Sequence, residues 1–226
     1  MKYDVACIPR HAGSIEEMNM ADKSKFWNKI AEKYSRDPIA DQQSYEIKLD
    51  ITRDYFTPDS EVLEIGAGTG STAILHAPYV KHIHGVDISE EMVRIARDKL
   101  KPAGIENVSF EVADVDTYHG QGKTYDVVMA MSLVHLVEDR AALFEKVKGL
   151  LKPGGVFVSS TVCLGDHMAY MAPVFAVGRA LGFLPIVKVF KSERLQNELV
   201  KAGFKIVHHW RPAKGKAVFL VCQKPD

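Results

Sequence analysis

Apolar positions along the chain fall into two alternating periods, one near 3.6 residues and one made of short continuous or alternating runs. From Ser24, which reads as an N-cap, Phe26, Trp27, Ile30, Ala31 and Tyr34 recur at helical spacing until Asp37-Pro38 ends the pattern. A second helical face carries Tyr45, Leu49, Thr52 and Phe56 before Pro58. The run Val62-Leu63-Glu64-Ile65 then reads as a buried strand, stopped by Gly66-Ala67-Gly68-Thr69-Gly70. A short helix from Ser71 to His76 is closed by Pro78, and a second strand from Val80 to Val86 ends in Asp87.

The same alternation continues. Met92, Ile95, Ala96 and Leu100 mark a helix, Val108–Val112 a third strand, and Tyr125–Ala130 a fourth. Asp139–Leu151 is a helix with Ala142, Leu143, Phe144, Val147, Leu150 and Leu151 on its apolar side, followed by Lys152-Pro153-Gly154-Gly155 and a fifth strand, Val156–Val158. Leu195, Leu199 and Ala202 form a last helix face closed by Gly203, and Phe204–Trp210 and Ala217–Cys222 are the final strands. Strands alternating with helices predict an α/β fold, and 226 residues suit one such domain with a large core. Residues 1–22 show no sustained period and read as a mobile arm, which leaves 23–226 as the single folded domain.

Charge and cysteine usage narrow the class. Lys plus Arg and Asp plus Glu both total 29, so nothing in the overall balance advertises nucleic acid or another polyanion. Cys7, Cys163 and Cys222 are odd in number and lack any C-x-x-C, which argues against disulfides and zinc and fits a reducing cytoplasm. No compact group of His, Cys and carboxylate residues has metal-ligand spacing, so no metal is expected. The N-terminus is too short in apolar residues for a signal peptide. Met168–Val187 is long and apolar except for Arg179, but Pro173, Gly178, Gly182 and Pro185 break it and strands resume beyond it. It reads as a cap over a pocket, not a membrane span.

The chemistry is carried by the glycine turn. Glycine can take positive φ and lets a ligand touch the backbone, leaving amide N–H groups open to a polar ligand. A dinucleotide fold wants G-x-G-x-x-G, whose third small residue packs helix on strand; here Ser71 stands there, which disfavours a nicotinamide-dependent dehydrogenase. Asp87, at the end of the second strand about twenty residues on, is placed to accept both ribose hydroxyls of an adenosine.

Read together, Glu64-Ile65-Gly66-Ala67-Gly68-Thr69-Gly70, Asp87-Ile88-Ser89-Glu90-Glu91-Met92 and the Leu151-Lys152-Pro153-Gly154-Gly155 turn resemble the motifs of class I S-adenosylmethionine-dependent methyltransferases of the small-molecule type. The resemblance covers residues 24–160 well and 192–226 in pattern, and leaves 161–191 unmatched. It implies a doubly wound, mostly parallel seven-stranded sheet flanked by helices, with lid helices over 24–57 and a helical cap inserted over 161–191 between strands five and six. It also implies S-adenosylmethionine as cofactor. Glu64, Gly66, Ala67 and Gly68 would cradle its methionine half, Asp87 its ribose, Ile88 and Met92 the adenine face. Asp114 would accept from the adenine amino group and the Val115 N–H would donate to the ring. Met131, ending strand four, joins this set. The segment Phe26–Arg36 is similar to lid helices of such enzymes, making Tyr34 a cofactor contact and Tyr45 a candidate substrate contact.

The acceptor is less defined. The loop Met131-Ser132-Leu133-Val134-His135-Leu136 lacks the Asn-Pro-Pro-Tyr of amino-group methylation on a base or glutamine and the Pro-Cys of cytosine chemistry. His135 is kept as a substrate candidate and read as a hydrogen-bonded structural histidine, with no catalytic assignment. His167 and Phe175 are further substrate candidates, Asp166 a polar one at the cap entrance, and the cap's aromatic and aliphatic residues suggest an apolar or aromatic small molecule methylated at O, N or S. A protein that binds the cofactor without transferring anything would carry the same motifs.

Overall fold

The computed structural model describes residues 15–181 and 183–226. Its frame is one seven-stranded sheet in the order β3-β2-β1-β4-β5-β7-β6. These strands are β1 (Glu61–Ile65), β2 (His82–Asp87), β3 (Val108–Val112), β4 (Tyr125–Met131), β5 (Leu151–Thr161), β6 (Lys205–Trp210) and β7 (Val218–Gln223). The first five are parallel, and β7 runs antiparallel between β5 and β6. The chain reverses direction of travel at β1, so the crevice beside the carboxyl ends of β1 and β4 is the topological switch point where α/β sheets bind ligands.

Helices cover both faces: α1 (Ile15–Arg36), α2 (Gln42–Arg53), α3 (Ser71–His76), α4 (Glu90–Leu100), α5 (Arg140–Leu150), α6 (Ala172–Ala180) and α7 (Ser192–Lys201). Alternate residues of each buried strand feed two cores. One joins Val62, Ile83, Val127, Val158 and Phe219 to Ala73 of α3 and Ile51 of α2. The other joins Leu63, Val128, Phe157 and Leu220 to Phe144 of α5 and Leu195 of α7. Side-chain caps fix where several helices start: Asp41 accepts from the Ser44 N–H, Ser89 from Met92 and Asp139 from Ala142, each worth about 1 kcal/mol.

The periodic elements lie where the pattern puts them, with α3 and β3 at the predicted bounds. Several expectations are corrected. The first helix begins at Ile15, so Ser24 is a buried residue within it and not its cap, and residues 15–22 are helix, not arm. No glycine or proline interrupts Ile15–Arg36, and extending an existing helix is far easier than nucleating one. The remainder of the expected arm lies outside the described residues. Ala142 is exposed, and Leu151 belongs to β5. Lys152-Pro153-Gly154-Gly155 is a loop-out within that strand, because the β4 register jumps from Tyr125↔Leu151 to Val127↔Val156.

The segment after β5 is an insertion ahead of α7. Among its described residues, α6 contains no buried side chain, and Tyr170, Val174, Val177, Leu181 and Phe183 are exposed. Asp166 is structural: it accepts from the Ser192 N–H at 3.1 Å and from Arg211 at 2.7 Å, tying the insertion to the start of α7.

Candidate active site

The site is built at the carboxyl end of β1. The Gly66 and Ala67 amides donate to the Val86 carbonyl at 2.8 and 3.0 Å, which bends the turn across the end of β2. Gly66, Gly68 and Gly70 all have positive φ, at 69°, 54° and 74°. Gly70 is further constrained because a Cβ there would stand 2.5 Å from the Phe110 ring. Over the turn, the Tyr34 ring approaches within 3.9 Å of where a Gly68 Cβ would lie, and Leu133 covers Gly66.

Asp87 locks turn to strand. Its Oδ2 accepts from the Gly68 N–H at 2.8 Å and its Oδ1 from the Ser89 N–H at 2.9 Å. Burial still pushes its carboxyl above the ordinary value, the two amides opposing the shift. Ser89 in turn donates to Asn28 Oδ1 at 2.6 Å, so α1 is fastened to the loop that carries Asp87. Ile88, in that loop, is half-buried, as is Met131.

Glu64, the last acid before the glycines, is 1% exposed. Burial raises its carboxyl to about 8, against the lowering effect of the Ala73 amide, and its Oε2 has no hydrogen-bond partner among the described residues. A buried oxygen left unpaired costs stability. It is explained if a cationic ligand group completes the site. These features fit S-adenosylmethionine. The open glycine backbone could accommodate the amino-acid half, the unpaired Glu64 oxygen could take its ammonium, and Asp87 retains acceptor lone pairs that ribose hydroxyls could use.

Two expected adenine contacts look different in place. Asp114 is buried and both of its oxygens are engaged, Oδ1 by the Asp116 N–H at 2.9 Å and Oδ2 by Lys23 Nζ at 2.9 Å. Lys23 also reaches Asp116 at 2.6 Å, so α1 is clamped to the end of β3 beside Val115, whose carbonyl accepts from Lys146. Met92 is 2% exposed and packs with Ala31 and Ile95 in the seam between α1 and α4. Its side chain is a packing group in this structure.

The substrate candidates do not converge. The Tyr45 hydroxyl lies 3.1 Å from Thr72 Oγ1, at the start of α3 just past the glycines. His135 is not hydrogen-bonded through its ring Nδ1, which is buried without a partner. Its carbonyl accepts from the Lys188 N–H. Burial pulls its imidazole down to about 4, making it a weak base at neutral pH. His167 lies against Gly215 in the β6–β7 loop, its Nδ1 also unpaired. Phe175 is half-buried on α6. Sequence reading missed Lys23, Asn28 and Lys48, all on the two N-terminal helices, whose polar residues carry no motif.

Comparison with known proteins accords with this geometry. A model of a methyltransferase domain matches residues 62–155, from β1 through the loop-out of β5. An uncharacterized methyltransferase, YcgJ of Bacillus subtilis, is 31% identical over 155 residues, which cover 69% of this chain and 58% of that protein. Over this stretch the chain is similar to class I S-adenosylmethionine-dependent methyltransferases. In fold it is similar to the N-methyltransferase NodS of Bradyrhizobium japonicum in complex with S-adenosylhomocysteine, with a TM-score of 0.66 at 16% identity over 88% of this chain and 99% of NodS. It is similar also to the [4+2]-cyclase SpnF, with a TM-score of 0.71 at 17% identity over 92% of this chain and 94% of SpnF. The chain spans less than two thirds of the length of the first curated relatives it matches, at 58%, 64% and 55%. Among the described residues no helix is long and apolar enough to cross a membrane.

Proposed function

We propose that this protein moves a methyl group from S-adenosylmethionine to a small apolar or aromatic metabolite, at O, N or S, in the cytoplasm and without nucleic acid as partner. The observation that carries this reading is the meeting of Gly68, Asp87 and the unpaired Glu64 oxygen at the neighbouring ends of β1 and β2. The bound cofactor supplies an electrophilic methyl on its sulfonium. The protein's share is to bind, exclude water and hold a nucleophile in line, which in well-oriented systems lowers barriers by about 7 kcal/mol or more.

Glu64 and the glycine backbone would hold the amino-acid half, and Asp87 the ribose. Asp114, Val115 and Ile88 would surround the adenine, and Tyr34 would close over the turn. Such an assignment needs no metal, and no dedicated base when the acceptor is a neutral amine; a hydroxyl acceptor would need its proton removed. The insertion over 161–191 is the proposed specificity element, because it is the long stretch that departs from the shared pattern.

Fold alone does not dictate transfer, since the cyclase SpnF shares it. Incubation with methyl-labelled cofactor and a metabolite extract, followed by identification of the labelled product, tests the proposal. Tight cofactor binding with no labelled product under single-turnover conditions would support a binder that transfers nothing.

A further inference from the structure

Four strands end in one row. Met131 of β4 pairs with Ser160 of β5, Ser160 with Phe219 of β7, and Phe219 with Trp210 of β6. Directly paired residues share a sheet face, and Met131, Phe219 and Trp210 belong to the core that also receives α2. The row therefore runs from beside the glycine turn outward beneath α2. That helix crosses above it. Tyr45 meets Thr72 on the β1 side, and Lys48, three residues later on the same face, reaches Ser160 Oγ at 3.0 Å on the β5 side. These two contacts flank the end of β4, next to where the cofactor's amino-acid half belongs.

Lys48 is half-buried, and among the described residues its ammonium makes this one hydrogen bond. No carboxylate among the described residues stands within ion-pairing distance of it. The nearest acid in effect, Asp41, is paired at 3.0 Å with Lys216 of the β6–β7 loop. Lys48 thus has no paired anion among the described residues, and a half-buried charge without one is costly. Burial and Lys216 pull the Lys48 amine below its ordinary value while Asp41 opposes them. A bound monoanion would remove the imbalance.

We propose that Lys48, held by Ser160, is the anchor for a carboxylate on the methyl acceptor, whose apolar body lies against the half-buried Met131 at the end of β4. The proposal rests on the cofactor reading above and goes beyond it by naming a charged handle. Lys48 acts here as a positioning residue: it orients the acceptor and takes no part in bond making.

The test uses the full chain saturated with S-adenosylhomocysteine at pH 7. Benzoate, phenylacetate and octanoate are each titrated against their primary amides, which match them in shape and lack the charge. At least one acid should bind roughly tenfold or more tighter than its amide, the usual worth of a hydrogen bond to a charged group. Lys48→Met should erase that preference with S-adenosylhomocysteine affinity unchanged, and Lys48→Arg should retain it. Lys48→Gln, which removes the charge and keeps a polar side chain, gives the same readout where the methionine variant does not fold. No preference for any acid in the wild type, or a preference that survives Lys48→Met or Lys48→Gln, overturns the proposal alone. Failure of S-adenosylhomocysteine to bind at all overturns the cofactor reading together with it.

Discussion

Titrating cofactor binding against pH probes the least comfortable atom in the site, Glu64 Oε2. With its carboxyl raised to about 8 by burial, Glu64 is roughly 0.9 protonated at pH 7 in the free protein. An ammonium placed against it favours the ionised form and returns it toward the ordinary carboxylate range. Binding at pH 7 should then release roughly 0.9 proton, and affinity should climb by close to tenfold per unit between about pH 5 and 7, where the ligand's amino group stays charged. Calorimetry with S-adenosylhomocysteine in buffers of different ionisation enthalpy measures the proton directly. Glu64→Gln should abolish both the proton release and the slope. A binding enthalpy independent of buffer at pH 7, or a slope that persists in Glu64→Gln, would refute the reasoning. The sign for the free protein is opposite: a carboxyl whose folded pKa is raised contributes fully below its unfolded value, and that contribution is lost as pH rises toward about 8. The melting temperature of wild type relative to Glu64→Gln should therefore fall over the same range.

Asp87→Ala should weaken cofactor binding by about 1 to 3 kcal/mol, the usual loss for hydrogen bonds to a charged group; calorimetry showing unchanged affinity would remove the ribose assignment. Gly70→Ala should destabilise by about 2 kcal/mol or more, since it meets both a φ of 74° and the Phe110 ring at 2.5 Å, and a denaturant midpoint equal to wild type would contradict the packing described. Phe183 is 72% exposed, so Phe183→Ala should shift stability by under about 0.5 kcal/mol. If the insertion selects the acceptor, Phe175→Ala with Phe183→Ala should cut acceptor kcat/KM while cofactor Kd holds; equal losses in both would end the specificity-lid idea.

What the sequence discloses depends on range. The glycine turn and Asp87 lie about twenty residues apart in one βαβ unit, and local spacing suffices to read them. The Lys23–Asp114 clamp and the Lys48–Ser160 contact join residues 91 and 112 positions apart, and no periodicity marks either partner. Composition misled over the insertion: Val174, Val177 and Phe183 are as apolar as core residues, yet they stand exposed. Hydrophobicity states what a side chain gains from a partner, not whether one is in place. Similarly, Pro153-Gly154-Gly155 reads as a stop, whereas the strand absorbs it as slack in its pairing with β4.

The antiparallel β7 also sets the order in which the sheet can be assembled during synthesis. It sits between β5 and β6, yet it follows both in the chain. As the polypeptide leaves the ribosome, residues 205–210 emerge with no strand to join, and the apolar stretch Val156–Val158 keeps one edge open. Both wait for Val218–Gln223 to arrive. An open edge beside apolar side chains is the surface on which nascent chains aggregate and to which chaperones bind. The β5–β7–β6 side of this sheet is therefore exposed to that hazard until its seventh strand has been made.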